Sequence, residues 1–179
     1  ISINPAIGST GSWVFSCNNL YDVDITGTGH QPYGFDTLKT LYQQATVVGA
    51  KITVSAIPGE QFNYFGLGIK VSDKSALTSP DPQQIQEQPG YRYRIFGNGT
   101  QNASPRISKG WGLRKTVGRM AMTQDKYTMS AMDVAPVDQW FFHVCLFSPV
   151  PTGDLGSMTL NIKIEYTARF FSPVELPQS

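Results

Sequence analysis

Two stretches of this chain combine cations with aromatic rings. Arg106, Lys109, Arg114, Lys115 and Arg119 form a run that contains no acid, and Trp111 sits inside it. Positive charge for phosphates beside a ring for base stacking is the chemistry of a surface for single-stranded nucleic acid. The same residues also suit a solvated face or a contact between copies of the chain. Tyr91-Arg92-Tyr93-Arg94 repeats the pattern in shorter form. The candidate nucleic-acid contacts are therefore Arg106, Lys109, Trp111, Arg114, Lys115 and Arg119.

Other reactive side chains are sparse. Histidine occurs only at His30 and His143, too few for a histidine metal site or a triad. His143 and Cys145 point the same way along one apolar stretch, which places both inside a sheet without a third orienting group. His30 lies in a glycine-rich loop, where it suits a turn hydrogen bond or a pH-sensitive contact. Asp22, Asp24 and Asp36 flank that loop; such oxygens can hold calcium, but they are also ordinary turn and cap residues. Cys17 and Cys145 are far apart in sequence and read as small buried hydrophobes, with a cross-strand pair as the alternative. Asn98-Gly99-Thr100 and Asn102-Ala103-Ser104 match the N-glycosylation pattern. The chain has no phosphate-cradling glycine motif, nucleophile-elbow serine or zinc ligand set. No enzymatic activity, metal or cofactor is expected.

The elements that carry these residues are mostly strands. Ile1 to Pro5 resembles the end of a strand, and Trp13 to Cys17 is a second. Asn18 to Pro32 is loop, and Gly27, Gly29, Pro32 and Gly34 cannot share one regular element. Asp36 then stands as an N-cap, and Phe35, Leu38, Leu41 and Tyr42 recur at helical spacing. Val48, Ala50, Ile52, Val54 and Ala56 alternate with Gly49, Lys51, Thr53 and Ser55, a strand over 45–57 with one buried and one wet face. Pro58-Gly59 marks a turn. Asn63 to Ser72 follows with Phe65, Leu67, Ile69 and Val71 inward; Gly66 and Gly68 on the other face leave room for a second backbone. Lys74 to Gly110 is a long irregular stretch with a helical turn near Gln83 to Gln86. Ile107 to Leu113 is a short strand, and Tyr127, Met129 and Ala131 alternate. Val137 to Phe147 is apolar on both faces and belongs mid-sheet. Met158 to Phe170 is the longest clean alternation. Seven to eight strands and one short helix fit two four-stranded antiparallel sheets packed face to face, an all-β sandwich.

Composition agrees with one such domain. The chain has 179 residues, only 15% charged, with 17 glycines and 12 prolines spread along it. No apolar run approaches the roughly 18 residues of a membrane span, and the start carries no signal-peptide pattern.

The run Gly29-His30-Gln31-Pro32, Gly34-Phe35-Asp36, Leu41-Tyr42 and Val48-Gly49-Ala50-Lys51-Ile52 resembles the capsid proteins of small circular single-stranded DNA viruses, the circovirus-like and CRESS groups. The resemblance covers about a sixth of the chain. It implies a single eight-stranded jelly roll over residues 1–179, and a structural role: about 60 copies in a T=1 icosahedral shell around a single-stranded DNA genome. It also implies a homo-oligomer in the virion, assembly in the host nucleus and a host-cell receptor, with no membrane partner. Subunit contacts are expected at His30, Pro32, Tyr33 and Phe35. A net charge of +1 per copy falls far short of a genome of roughly thousands of phosphates. In the family an Arg-rich N-terminal arm supplies that charge, so the chain is expected to be the ordered shell domain. The alternative from another class is a secreted carbohydrate-binding jelly roll, which exposed Trp and Tyr residues and the two glycosylation motifs would fit.

Overall fold

Alternating side chains on either side of a pleated backbone give the described residues nine strands. The structure is a computed structural model that describes residues 1–27, 31–57, 64–97, 105–150 and 152–175. The strands are β1 (Ser2–Ile3), β2 (Thr10–Ser16), β3 (Tyr42–Ile57), β4 (Tyr64–Ser72), β5 (Tyr91–Gly97), β6 (Arg106–Gly112), β7 (Thr128–Met129), β8 (Phe141–Phe147) and β9 (Met158–Pro173). Short helices intervene as α1 (Phe35–Leu41), α2 (Pro82–Glu87) and α3 (Leu113–Thr116), with 3-10 turns at Arg119–Thr123 and Asp125–Tyr127.

Pairing is antiparallel throughout, and it is nested. β1 pairs with β9, β2 with β8, β3 with β6, and β4 with β5. The same strands are joined laterally in the orders β1-β9-β3-β6 and β2-β8-β4-β5. A chain folded back on itself four times and rolled into two sheets is a jelly roll. The expected architecture is therefore present, with one addition. β7 pairs Met129 with Ala45 and Thr128 with Thr46, which widens the first sheet to five strands.

The core lies between the sheets. Ala45, Val47, Ile52 and Val54 of β3 are fully buried, as are Leu67 and Ile69 of β4 and Phe142, Val144 and Leu146 of β8. In β3 the buried positions switch from odd to even across a bulge between Val47 and Gly49. One extra residue reverses which face each side chain takes. β8 lies between β2 and β4 and is buried along its whole length, as an apolar strand in mid-sheet must be.

Three expectations are corrected. Lys74 to Gly110 holds the expected helical turn as α2, but it is not otherwise irregular, because it also contains β5. Only Thr128 and Met129 of the Met-rich segment pair as strand, since 3-10 turns occupy 119–127. Asp36 does not cap α1; the capping position is Gly34, at φ 80°, and Asp36 falls inside the first turn. Glycine takes that left-handed conformation without steric cost. Of the face expected for α1, Phe35 is buried and Leu41 is exposed. The Pro58-Gly59 turn lies outside the described residues.

Candidate nucleic-acid interface

β5 and β6 are edge strands, one from each sheet, and they meet along one side of the sandwich. Arg92 Nη1 crosses the gap and donates to Ser108 O at 3.2 Å. Phe96, Arg94 and Arg92 of β5 stand opposite Phe65, Leu67 and Ile69, on the side that faces the core. Phe96 stacks on Phe65 at 5.4 Å between centroids and closes the core there. Arg94 and Arg92 continue the same face into solvent.

β6 supplies the other bank. Ile107, Lys109 and Trp111 stand opposite Val54, Ile52 and Ala50, again on the core side. Ile107 and Trp111 are buried, so the Lys109 stem runs over apolar surface between them. Burial holds the Lys109 ammonium below its ordinary pKa, and the charges of Arg92 and Lys115 push the same way. Lys115 arrives through α3, which starts directly after β6. Among the described residues none of Arg92, Arg94, Lys109 and Lys115 is in an ion pair. Like charges this close are relieved by an anion from outside.

The structure thus regroups the residues expected from sequence. Lys109 and Lys115 come together, and Arg92 and Arg94 join them from the shorter motif. Arg106 does not: it pairs in register with Ser55 on the outer face of the first sheet. There, after Lys163 and Lys51, its charge helps hold the Glu165 carboxyl below the usual range. Arg114 and Arg119 are exposed on α3 and at the start of the 3-10 turn that follows it. Trp111 is 5% exposed, its ring within the core, so it is no platform for a base. Tyr91 and Tyr93 stand on the opposite face of β5 from the arginines and stack on each other at 5.6 Å. What remains is a group of cations without an exposed ring among them, which suits phosphate contact rather than base stacking. The shorter Tyr-Arg-Tyr-Arg motif thus contributes its cations alone, because its period of two puts rings on one face and arginines on the other.

The residues expected at subunit contacts separate as well. Tyr33 is fully exposed and Pro32 half-buried. Phe35 is corrected: it is 2% exposed and packs into the core from α1. His30 lies outside the described residues, as do both glycosylation motifs. Asp24 is a turn residue, accepting from Trp13 Nε1 at 2.6 Å and Gly27 N at 3.0 Å. Cys17 and Cys145 are free and buried on opposite faces of the β2–β8 pair, so they cannot bridge. Burial pushes the Cys145 thiol up to about 12, which leaves it protonated and unreactive beside His143. Trp13 and Trp140 are half-buried and Trp111 is buried, so no tryptophan offers an open sugar-stacking face.

No protein-family model matches the chain, and no curated protein matches it. It is similar to chains in several solved structures. One is from turnip yellow mosaic virus, at 16% identity and TM-score 0.46, covering 100% of this chain and 94% of that one. Another is from tobacco necrosis virus, at 12% identity and TM-score 0.45, covering 97% and 94%. A third is from sacbrood virus of honeybee, at 16% identity and TM-score 0.45, covering 96% and 99%.

Proposed function

We propose that this chain is the shell subunit of a small non-enveloped virus and that its β5–β6 edge contacts the phosphates of the enclosed genome. The observation that carries the reading is the grouping of Arg92, Arg94, Lys109 and Lys115, drawn from separate segments, with no carboxylate paired to them among the described residues. The nested pairing supports it by setting two strand edges side by side, which is how the two motifs meet. The run from Gly29 to Ile52 supports the finer statement: about 60 copies around single-stranded DNA, assembled in the host nucleus. Tyr33, fully exposed beside a fixed glycine turn, is the residue assigned to a contact between copies.

Two measurements test this. Light scattering and negative-stain microscopy of the purified full chain should find particles of megadalton mass; a lone monomer at every concentration and salt tried defeats the shell reading. Binding of fluorescent oligothymidylate should weaken with salt, and the salt slope should fall by about 0.7 for each of Arg92→Ala and Lys109→Ala. Arg106→Ala, on the other face, should leave the slope unchanged. Equal effects from all three variants would remove the β5–β6 edge from the proposal while leaving shell assembly to stand or fall separately.

A further inference from the structure

The outer face of the second sheet is largely closed to solvent over β2 and β8, while Tyr64, Tyr93 and Ile95 leave it open toward β5. Thr10, Val14 and Ser16 of β2, Lys70 of β4, and Phe141, His143, Cys145 and Phe147 of β8 share that face, and all are buried. The segment 73–90 lies over Thr10, Lys70 and His143 with its own Ile85 fully buried, while Tyr91 and Tyr93 of β5 lie against Cys145 and Phe147. Its attachments concentrate on two neighbouring side chains. His143 Nε2 lies 2.8 Å from Lys74 O, and since a carbonyl only accepts, Nε2 carries the proton. Lys70, the register partner of His143, donates from Nζ to Thr78 Oγ1 at 3.1 Å and also to Gln88 Oε1. Both ends of the cover are thus tied to one His–Lys pair, and Thr10 N adds a bond to Pro80 O at 2.7 Å.

His143 Nδ1 is buried and has no hydrogen-bond partner among the described residues. The groups around it offer a second proton no carboxylate among the described residues. On β4 the neighbour is the Lys70 ammonium; on β5 it is the Tyr91 phenol, and on β8 the Cys145 thiol, both neutral and pushed up by burial. β2 brings only Thr10, Ser12, Val14 and Ser16 to this face. In the cover, Asp73 pairs with the Lys74 ammonium in solvent, Asp81 caps α2 through Gln83 N, and Glu87 is exposed.

We propose that 73–90 is an acid-released cover over the second sheet, with His143 as its trigger. Protonation of Nδ1 sets a second cation beside Lys70 in a buried layer with no facing carboxylate among the described residues. Water relieves that charge once the cover lifts. The sign follows from burial, which holds the His143 pKa below its ordinary value while the cover is shut. The shut form therefore binds fewer protons, is fully favoured above the ordinary histidine range, and loses ground as pH falls below it. Lifting bares Val14, Phe141 and Phe147, an apolar face, without opening the core between the sheets.

Cys145 is buried on the same outer face as His143, beside Tyr91, whereas Cys17 lies in the main core, so one chain carries both probe and control. The full chain is labelled with a dipyridyl disulfide, which reacts with thiols in acid, and each rate is divided by that of a free thiol at the same pH. Between about pH 7.5 and about pH 5 the Cys145 rate should rise about 10- to 30-fold, the most that one histidine with an ordinary value near 6.5 can supply. Cys17 should stay protected. His143→Gln keeps a donor for Lys74 O and should leave Cys145 protected at both pH values. A Cys145 that stays shielded at the lower pH, a Cys17 that labels in step with it, or a His143→Gln chain that responds like wild type would each overturn the proposal. If His143→Gln does not fold, the wild-type comparison of the two cysteines decides alone.

Discussion

The Phe147 ring occupies the space that a side chain at position 66 would need. A Cβ on Gly66 would come within 2.2 Å of that ring, which is 1% exposed and has Tyr93 against it at 6.1 Å. Tyr91 fills the same space over Gly68. The two glycines do invite a close approach, as their place in an alternating strand predicted, but aromatic side chains make it rather than another backbone. Gly66→Ala should therefore destabilise the protein by about 1–3 kcal/mol in chemical denaturation, because a pinned ring cannot swing clear. Gly110→Ala is the matched control: its Cβ would meet only Ala50 O, at 3.8 Å, so a change within about 0.5 kcal/mol is expected. Similar costs for the two would mean that the rings over β4 are not fixed. Trp111 carries a related lesson. Its place between cations suggested a base platform, yet Ile107, Lys109 and Trp111 alternate with Ser108 and Gly110, and that alternation sends the ring inward. The strand was legible as Ile107 to Leu113, but grouping the cations along the run ignored that a strand sorts them onto two faces.

Among the elements, α2 shows how little holds the cover in place. It is six residues long, too short to persist without packing and caps. Pro82 fits its first turn, Asp81 accepts from Gln83 N at 2.8 Å, and Ile85 anchors it to the sheet. Asp81→Ala should cost the cover about 0.5–2 kcal/mol and raise Cys145 labelling about two- to thirtyfold at every pH, with thermal unfolding of the sandwich nearly unmoved. That pH-independent gain separates a weakened cap from the histidine trigger. Loss of global stability by the same amount would mean that the cover and the sandwich unfold as one unit. Elements were legible where apolar contrast was strong. β8 and β9 could be read directly, since an apolar run and a clean alternation have few other outcomes. β5 was not legible, because Tyr and Arg alternate without the apolar-polar contrast that marks a half-buried strand. The β3 bulge was invisible too: Val47 and Val48 are equally apolar, and only pairing with β9 decides which turns inward.

For the molecule as a whole, nested pairing makes nearly every sheet contact long-range. The outermost pair joins Ile1 to Leu160, with bonds of 3.0 Å and 2.8 Å across almost the whole chain. The counted strands implied two sheets, but no local pattern announces which strands pair over such distances. The nest came into view only through register. Its order also bears on folding. Contacts this distant carry a large loop-closure cost, so refolding on a millisecond-to-second scale is expected. β3·β9 builds most of the first sheet, whereas β1 adds two residues at its edge. β1 can dock only on a β9 already in place. Ile3 is 5% exposed, so Ile3→Ala should cost about 2–5 kcal/mol. If β1 joins after the transition state, that loss falls on unfolding: the unfolding rate rises at least about 30-fold while the refolding rate stays within about twofold. Stopped-flow tryptophan fluorescence across a denaturant series reads both limbs. A slowed refolding limb would instead put the outermost pair in the nucleus, with β1 and β9 meeting before the sheets between them are built.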